Sequence, residues 1–312
     1  LQFTNFRLIG IEMINIYGFG NALIDVEFLI TDEELKETGI PKGGMKNISS
    51  EKKDHFLSRF KEKEISRTSG GSIANSLCAA ASQGASGTFS CSIGNDKYGK
   101  EFLDSISDLE IFNKFSSKPT GVCIVFITPD GERTMASSLD ANLDLSPECL
   151  SKDVLKSSDV LIFDTFSIET ENGFNTVKES IEIANINNVD VCYGISDKSL
   201  ISLSYEKISW IFSKNITYVY GNQDEINELR NAITLKDEIV ITTFGHEGAS
   251  VDDLKVSAKS ITPISTNGAG DALIGVFMAL KGKLDDKEAL QRAVDYATEV
   301  CKITGPRIKN AT

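Results

Sequence analysis

Ser265-Thr266-Asn267-Gly268-Ala269-Gly270-Asp271 is a glycine-rich turn that runs straight into the apolar stretch Ala272 to Leu280, long enough for a buried helix. Gly268 and Gly270 lack side chains, so an anion can approach the backbone N–H groups of the helix's first turn, where the helix dipole also favours negative charge. Asp271 stands where a carboxylate would repel a bound phosphate. That placement makes chemical sense if the carboxylate takes a proton from an attacking hydroxyl. The alternative is an ordinary helix start, with turn glycines and Asp271 as its N-cap.

The rest of the composition bounds the function. A chain of 312 residues, 41% hydrophobic and 25% charged, can bury a sizeable α/β core. Its formal charge of −13 argues against nucleic acid or an anionic membrane as partner. No apolar run approaches the ~18 residues of a membrane span and no signal peptide is evident, so the expected location is the cytoplasm. Cys78, Cys91, Cys123, Cys149, Cys192 and Cys301 are scattered without a C-x-x-C pair and read as reduced, buried thiols. With His55 and His246 the only histidines, a multi-histidine metal site is not expected.

Residues 1–12 fit no motif and read as an N-terminal extension or added residues, with Met13 as the native start. Ile14 to Gly20 reads as a buried strand entering a glycine turn. Gly18-Phe19-Gly20 opens like a dinucleotide fingerprint, but Leu23 occupies the third glycine's place, which excludes a dehydrogenase reading. A helix is expected at 31–38, a charged one at 51–64, and one of small residues after Gly70-Gly71. Residues 87–94 read as a strand, and 121–135 as a hairpin turning at Pro129-Asp130-Gly131. Short apolar runs at 159–164, 190–194, 217–221 and 238–243 alternate with helical segments, and a last helix is expected at 293–302. Doubly buried strands spaced by helices form a parallel sheet whose ligands bind outside the strands' C-terminal ends.

Thr266-Asn267-Gly268-Ala269-Gly270-Asp271 resembles the C-terminal signature of the PfkB, or ribokinase-like, carbohydrate and nucleoside kinases, and Gly70-Gly71-Ser72-Ile73-Ala74-Asn75 resembles their N-terminal signature. The resemblance implies a three-layer α/β/α core, with a mostly parallel sheet and a small β-sheet lid. One kinase domain over 13–312 is expected, its lid drawn from about 22–50 and 118–138. It implies ATP as phosphoryl donor and Mg²⁺ as cofactor. Asp271 would be the base, with Gly268, Ala269 and Gly270 as the anion hole, and Arg133 a cation near the transferred group or simply an exposed strand arginine. Asp25, Gly70, Gly71 and Asn75 match positions that hold a sugar; for Asp25 a turn or cap role is the alternative, for the glycine pair a helix-capping one. Asn222 and Glu225, in an N-x-x-E motif, match positions that hold magnesium and its water shell, and a capping box would use the same two residues. Thr243, Gly245 and Gly248 would line the nucleotide, with His246 turned to solvent. Phe166 reads two ways, stacked on a purine or packed in the core.

One departure stands out: Ser265 replaces the acidic residue usual in the family, which puts in doubt a monovalent cation (K⁺) or a loop-ordering role tied to that position. The segments Gly20 to Asp25, Glu132 to Met135 and Gly305-Pro306-Arg307 are more similar to adenosine-kinase-like members than to ribokinase or fructokinase. The expected acceptor is therefore a nucleoside, with a free sugar as the alternative, and the expected assembly a monomer or a lid-mediated homodimer. Outside the enzyme class, the competing reading is a nucleotide- or sugar-binding sensor.

Overall fold

The computed structural model describes residues 13–308, so the reading of residues 1–12 lies outside the described residues. In chain order the strands are β1 (Asn15–Phe19), β2 (Leu23–Leu29), β3 (Met45–Asn47), β4 (Glu64–Ser69), β5 (Ser86–Gly94), β6 (Glu110–Ser116) and β7 (Gly121–Ile127). There follow β8 (Arg133–Ser138), β9 (Val160–Asp164), β10 (Asp190–Gly194), β11 (Tyr218–Asn222), β12 (Ile239–Thr243), β13 (Ala249–Val251) and β14 (Leu254–Val256). Nine of them form one sheet in the order β14-β13-β12-β11-β10-β9-β1-β5-β6, parallel from β12 to β6 and antiparallel only at the β13–β14 end.

Alternation along β1 shows how this sheet makes three layers. Ile16 faces one apolar cluster, which contains the helices Ser72–Ser82, Ala269–Leu280 and Asp286–Val300. Tyr17 and Phe19 face the other, under the helices Glu171–Ile186, Tyr205–Phe212 and Gln223–Ala232, where Phe19 stacks on Phe163 at 5.6 Å. Gly18 lets the first of these helices lie directly on the strand, since a Cβ there would come within 2.6 Å of Ile73.

The second sheet, β3-β8-β7-β2-β4, is the lid. On β2, Ile24, Val26 and Phe28 are fully buried; with Phe56, Phe60 and Phe126 the last forms an aromatic cluster whose ring centroids lie 5.4–6.3 Å apart. The alternate positions of β2, β7 and β8, Leu23, Asp25, Cys123, Val125, Arg133, Met135 and Ser137, line a cleft against the core. The lid's root is pinned twice. Asn142 accepts from Ala22 N at 2.7 Å and donates back to Ala22 O at 3.1 Å, and buried Lys53 pairs with buried Asp140 at 2.7 Å.

Three local expectations change. The charged helix stops at Arg59, because Phe60 turns into the aromatic cluster and the chain enters β4, a lid strand outside the expected lid segments. Edge strand β6 and the three-residue β13 and β14 were not expected, and the last helix begins earlier, at Asp286. All six cysteines are free thiols, four of them buried. Among the described residues no helix is long and apolar enough to cross a membrane.

Candidate active site

A close crossing of two helices builds the centre of the site. Gly275 lies so near the helix Ser72–Ser82 that a Cβ on it would stand 1.9 Å from Ser76 O. One turn back along each helix, Asp271 therefore meets Ser72 and Asn75. Ser72 Oγ donates to Asp271 Oδ1 at 2.5 Å and Asn75 Nδ2 donates to Oδ2 at 2.8 Å. Burial raises the Asp271 carboxyl above its ordinary value, while the bonds from Ser72 and Asn75 and the charge of Arg307 oppose the rise.

Asp271 is not the N-cap. Gly268 occupies that position in the left-handed region, at φ 76°, and no side chain caps the helix. Gly268, Ala269 and Gly270 line the cleft; the Ala269 N–H donates to Thr266 O at 3.3 Å, and nothing lies within 4 Å of a Cβ placed on Gly270.

The cleft, about 1270 Å³, brings together all the residues expected at the site except Gly70, which packs just behind it. Asp25 lies on the lid face. Gly70 is required beside it, because a Cβ there would come within 2.6 Å of both carboxylate oxygens. Burial pushes the Asp25 carboxyl up to about 7, although the Asn267 side chain and Arg307 pull it down. Gly71, at φ 92°, is the N-cap of its helix and leaves no room for a side chain against Asn21 O. Asn75, at 5% exposure, has both ends of its amide taken by protein groups, Asp271 and Arg307.

Arg133 pairs with Glu27 on β2 and donates to Ser265 Oγ at 3.2 Å. Ser265 Oγ also accepts from Asn267 N at 3.2 Å, so the serine does order this loop and ties it to the lid. At the far end, Asn222 and Glu225 form a complete capping box, with bonds of 2.9 and 2.7 Å. Burial pushes Glu225 up to about 7, and the charges of Asp197, Asp224 and Asp271 add to it. Among the described residues no group of three or more His, Cys, Asp or Glu could enclose a metal ion. Thr243, Gly245 and Gly248 line the cleft around a tight turn with φ of 58° and 114° at the two glycines; exposed His246 is at its rim. Phe166, half-buried, lines the cleft.

Sequence reasoning missed Asp164, Tyr220 and Arg307. Asp164 is 2% exposed, accepts from Ser167 N and Oγ, and is pushed by burial to about 7. Tyr220 is 9% exposed, and its hydroxyl has no partner at hydrogen-bonding geometry although Ser72, Asp164 and Asp271 surround it. A polar residue at a strand's C-terminal end was the only available signal for either.

A three-layer core with a β-sheet lid, and a carboxylate at an uncapped helix start between them, defines the ribokinase-like class of kinases. The pattern described as pfkB family carbohydrate kinase matches residues 44–312, and the chain belongs to that family. It is a carbohydrate or nucleoside kinase. Adenosine kinase 2 of Arabidopsis thaliana is 27% identical, over 91% of this chain and 92% of its own. A ribokinase of Schizosaccharomyces pombe is 23% identical, over 69% and 72%. The crystal structure of adenosine kinase from Sinorhizobium meliloti superposes with a TM-score of 0.85 at 23% identity, over 95% of this chain and 96% of that one.

Proposed function

We propose that this protein moves the γ-phosphoryl group of ATP to a primary hydroxyl of an adenosine-like nucleoside, with Asp271 as general base. The observation that carries the reading is the pairing of two features at one point: a carboxylate held by Ser72 and Asn75, and a helix start without a side-chain cap two residues before it. Asp271 accepts the hydroxyl proton as the oxygen attacks. The N–H groups of Gly268 and Gly270 lie where negative charge develops, and that of Ala269, which donates to Thr266 O, joins them on leaving that bond. Asp25 orients the sugar hydroxyls; buried, with only the Asn267 side chain to meet its oxygens otherwise, it discriminates against an acceptor that lacks them. Arg133, fixed between Glu27 and Ser265, joins lid closure to the loop that carries the anion hole.

Bound Mg²⁺ would supply positive charge to offset that of the donor's phosphates. Glu225 would hold it with its water through Oε1, the oxygen left outside the capping box, and Asn222 through the second lone pair of its single oxygen, Oδ1. That donor set suits magnesium, which takes one or two carboxylates plus phosphate oxygens, rather than an all-protein cage. A carboxyl raised by neighbouring carboxylates is also one that a cation relieves.

A nucleoside is favoured over a free sugar because the acceptor side is largely apolar, lined by Leu23, Val125, Met135, Leu139 and Phe166. A sugar alone would leave that surface wet, whereas a purine covers it. The test is ATP consumption with Mg²⁺ against adenosine, other nucleosides, ribose and fructose, with Asp271→Asn beside the wild type. Adenosine is expected to raise turnover well above the acceptor-free background, and the variant to lose 10²–10⁴-fold in kcat. Faster turnover of ribose or fructose would move the assignment to a sugar kinase. Nucleotide binding without phosphorylation of any acceptor would make the protein a sensor.

A further inference from the structure

The amide of Asn75 has two chemically different ends, and the fold has assigned each to one neighbour. Nδ2 donates to Asp271, while Oδ1 accepts from Arg307 Nε at 2.7 Å. A guanidinium offers donors and no acceptor, so its position at Oδ1 determines which end of the amide faces the carboxylate. With Arg307 absent, the amide could turn over and present its oxygen to Asp271.

The remaining donors of Arg307 go to the same turn. Nη2 donates to Gly70 O at 3.0 Å and Nη1 to Ser69 Oγ at 3.2 Å, with Ser105 Oγ at 3.3 Å. Gly70 is the residue against which Asp25 lies. The chain reaches this position through Gly305 at φ 94°, and Pro306 lies over Gly268: a Cβ on that glycine would stand 2.5 Å from Pro306 Cβ. Pro306 and Arg307, beyond the last helix, therefore touch both motifs of the site, the start of the helix Ala269–Leu280 and the turn before Ser72.

We propose that Arg307 is a positioning residue for phosphoryl transfer, acting through Asn75 to aim an amide donor at Asp271. The role rests on the reading of Asp271 as the base. The charge of Arg307 also reaches both carboxyls and opposes the rise that burial imposes on them. Around Asp271 the other groups are Ser72, Asn75, Asp164, Tyr220 and Glu225; Asp25 also faces Glu27, Arg133 and Asn267, and Cys78 lies beside Arg307.

The experiment compares wild type, Arg307→Met, Arg307→Lys, Asn75→Ala, the double variant Arg307→Met with Asn75→Ala, and Asp271→Asn. Each is assayed for steady-state turnover with ATP, Mg²⁺ and adenosine, or ribose if adenosine is not phosphorylated. Thermal melting accompanies each assay. Arg307→Met is expected to lower kcat about tenfold or more while leaving the acceptor KM within about threefold. Because it acts through Asn75, the double variant is expected to be no worse than the worse single one, within about twofold. Loss of the cation moves the acid limb of kcat to higher pH, and Arg307→Lys, which keeps the charge, moves it back. Single penalties that multiply in the double variant, or a raised KM at unchanged kcat, overturn the proposal. If Arg307→Met does not fold, Arg307→Lys carries the test: it keeps the buried cation but cannot span Asn75, Gly70 and Ser69 together, so wild-type kcat in it also overturns the proposal. Full turnover in Asp271→Asn removes the base reading and this role with it. Loss of turnover there, beside wild-type kcat and pH profile in Arg307→Met, removes the Arg307 role alone.

Discussion

At the scale of single residues, the site is a set of carboxyls whose burial works against their charge. Asp271 is raised from an ordinary 3.8, and a base works only when deprotonated. Acidification is therefore expected to reduce kcat with unit slope at a pH above the usual carboxylate range, as a pH–rate profile would show. Asp164, raised to about 7, sets a second expectation. The folded form holds that proton more tightly than the unfolded one, so its contribution to stability is complete below about 3.8 and is lost as pH rises through about 7. Asp164→Asn keeps an oxygen for Ser167 and carries no charge. Its melting temperature is expected to gain on the wild type's by about 2 °C or more between pH 5 and pH 8; a difference that does not grow between the two pH values would remove the argument.

At the scale of elements, two glycines of the same helix have opposite roles. Gly275 is pressed against Ser76 O, and Gly275→Val must push the helices apart, at a cost of about 1–3 kcal/mol. Ser72 and Asn75 then lose their reach to Asp271, so kcat is expected to fall together with the denaturation midpoint. Gly270 has open space beyond it. Gly270→Ala is expected to leave folding intact or slightly improved, since alanine favours a helix by up to ~1 kcal/mol. Its methyl enters the anion cradle, however, and KM for ATP is expected to rise; an unchanged KM would put the phosphates elsewhere. Between lid and core, the Ser265 hydroxyl is the shared acceptor for Arg133 and Asn267 N. Where the family usually has an acid, the serine oxygen accepts from both of these donors.

At the scale of the molecule, the lid hangs from the core by residues far from any motif. Lys53, from the helix Ser50–Arg59, reaches Asp140 where the chain leaves the lid, both nearly buried. Lys53→Met would leave the Asp140 carboxylate buried with Ser138 and no cation, and is expected to cost about 3–5 kcal/mol in chemical denaturation. A loss under ~1 kcal/mol would mean that water replaces the pair. The same scale explains which elements were hard to read. β4, half-buried along its length, has no apolar run to mark it, and β6 is a sheet edge with only half-buried and exposed residues. Their pairing with β2 and β5, not their own patterns, makes them strands.

By itself the sequence determined the family, the order of strands and helices through most of the core, and the two glycine motifs, because these depend on local periodicity and on residues that only one backbone geometry tolerates. Asp271, Asp25, Asn222 and Glu225 stood out because they match positions of the resembled motifs, and the fold brings all four to one cleft. Only the tertiary structure decided that Asp271 turns toward Ser72 and Asn75 instead of capping its helix, since that outcome follows from a helix crossing at Gly275. It also decided that Arg307, 232 residues beyond Asn75, sits beneath that amide. No local pattern encodes such a contact; it exists because packing two distant segments against each other leaves a buried amide oxygen that must have a donor.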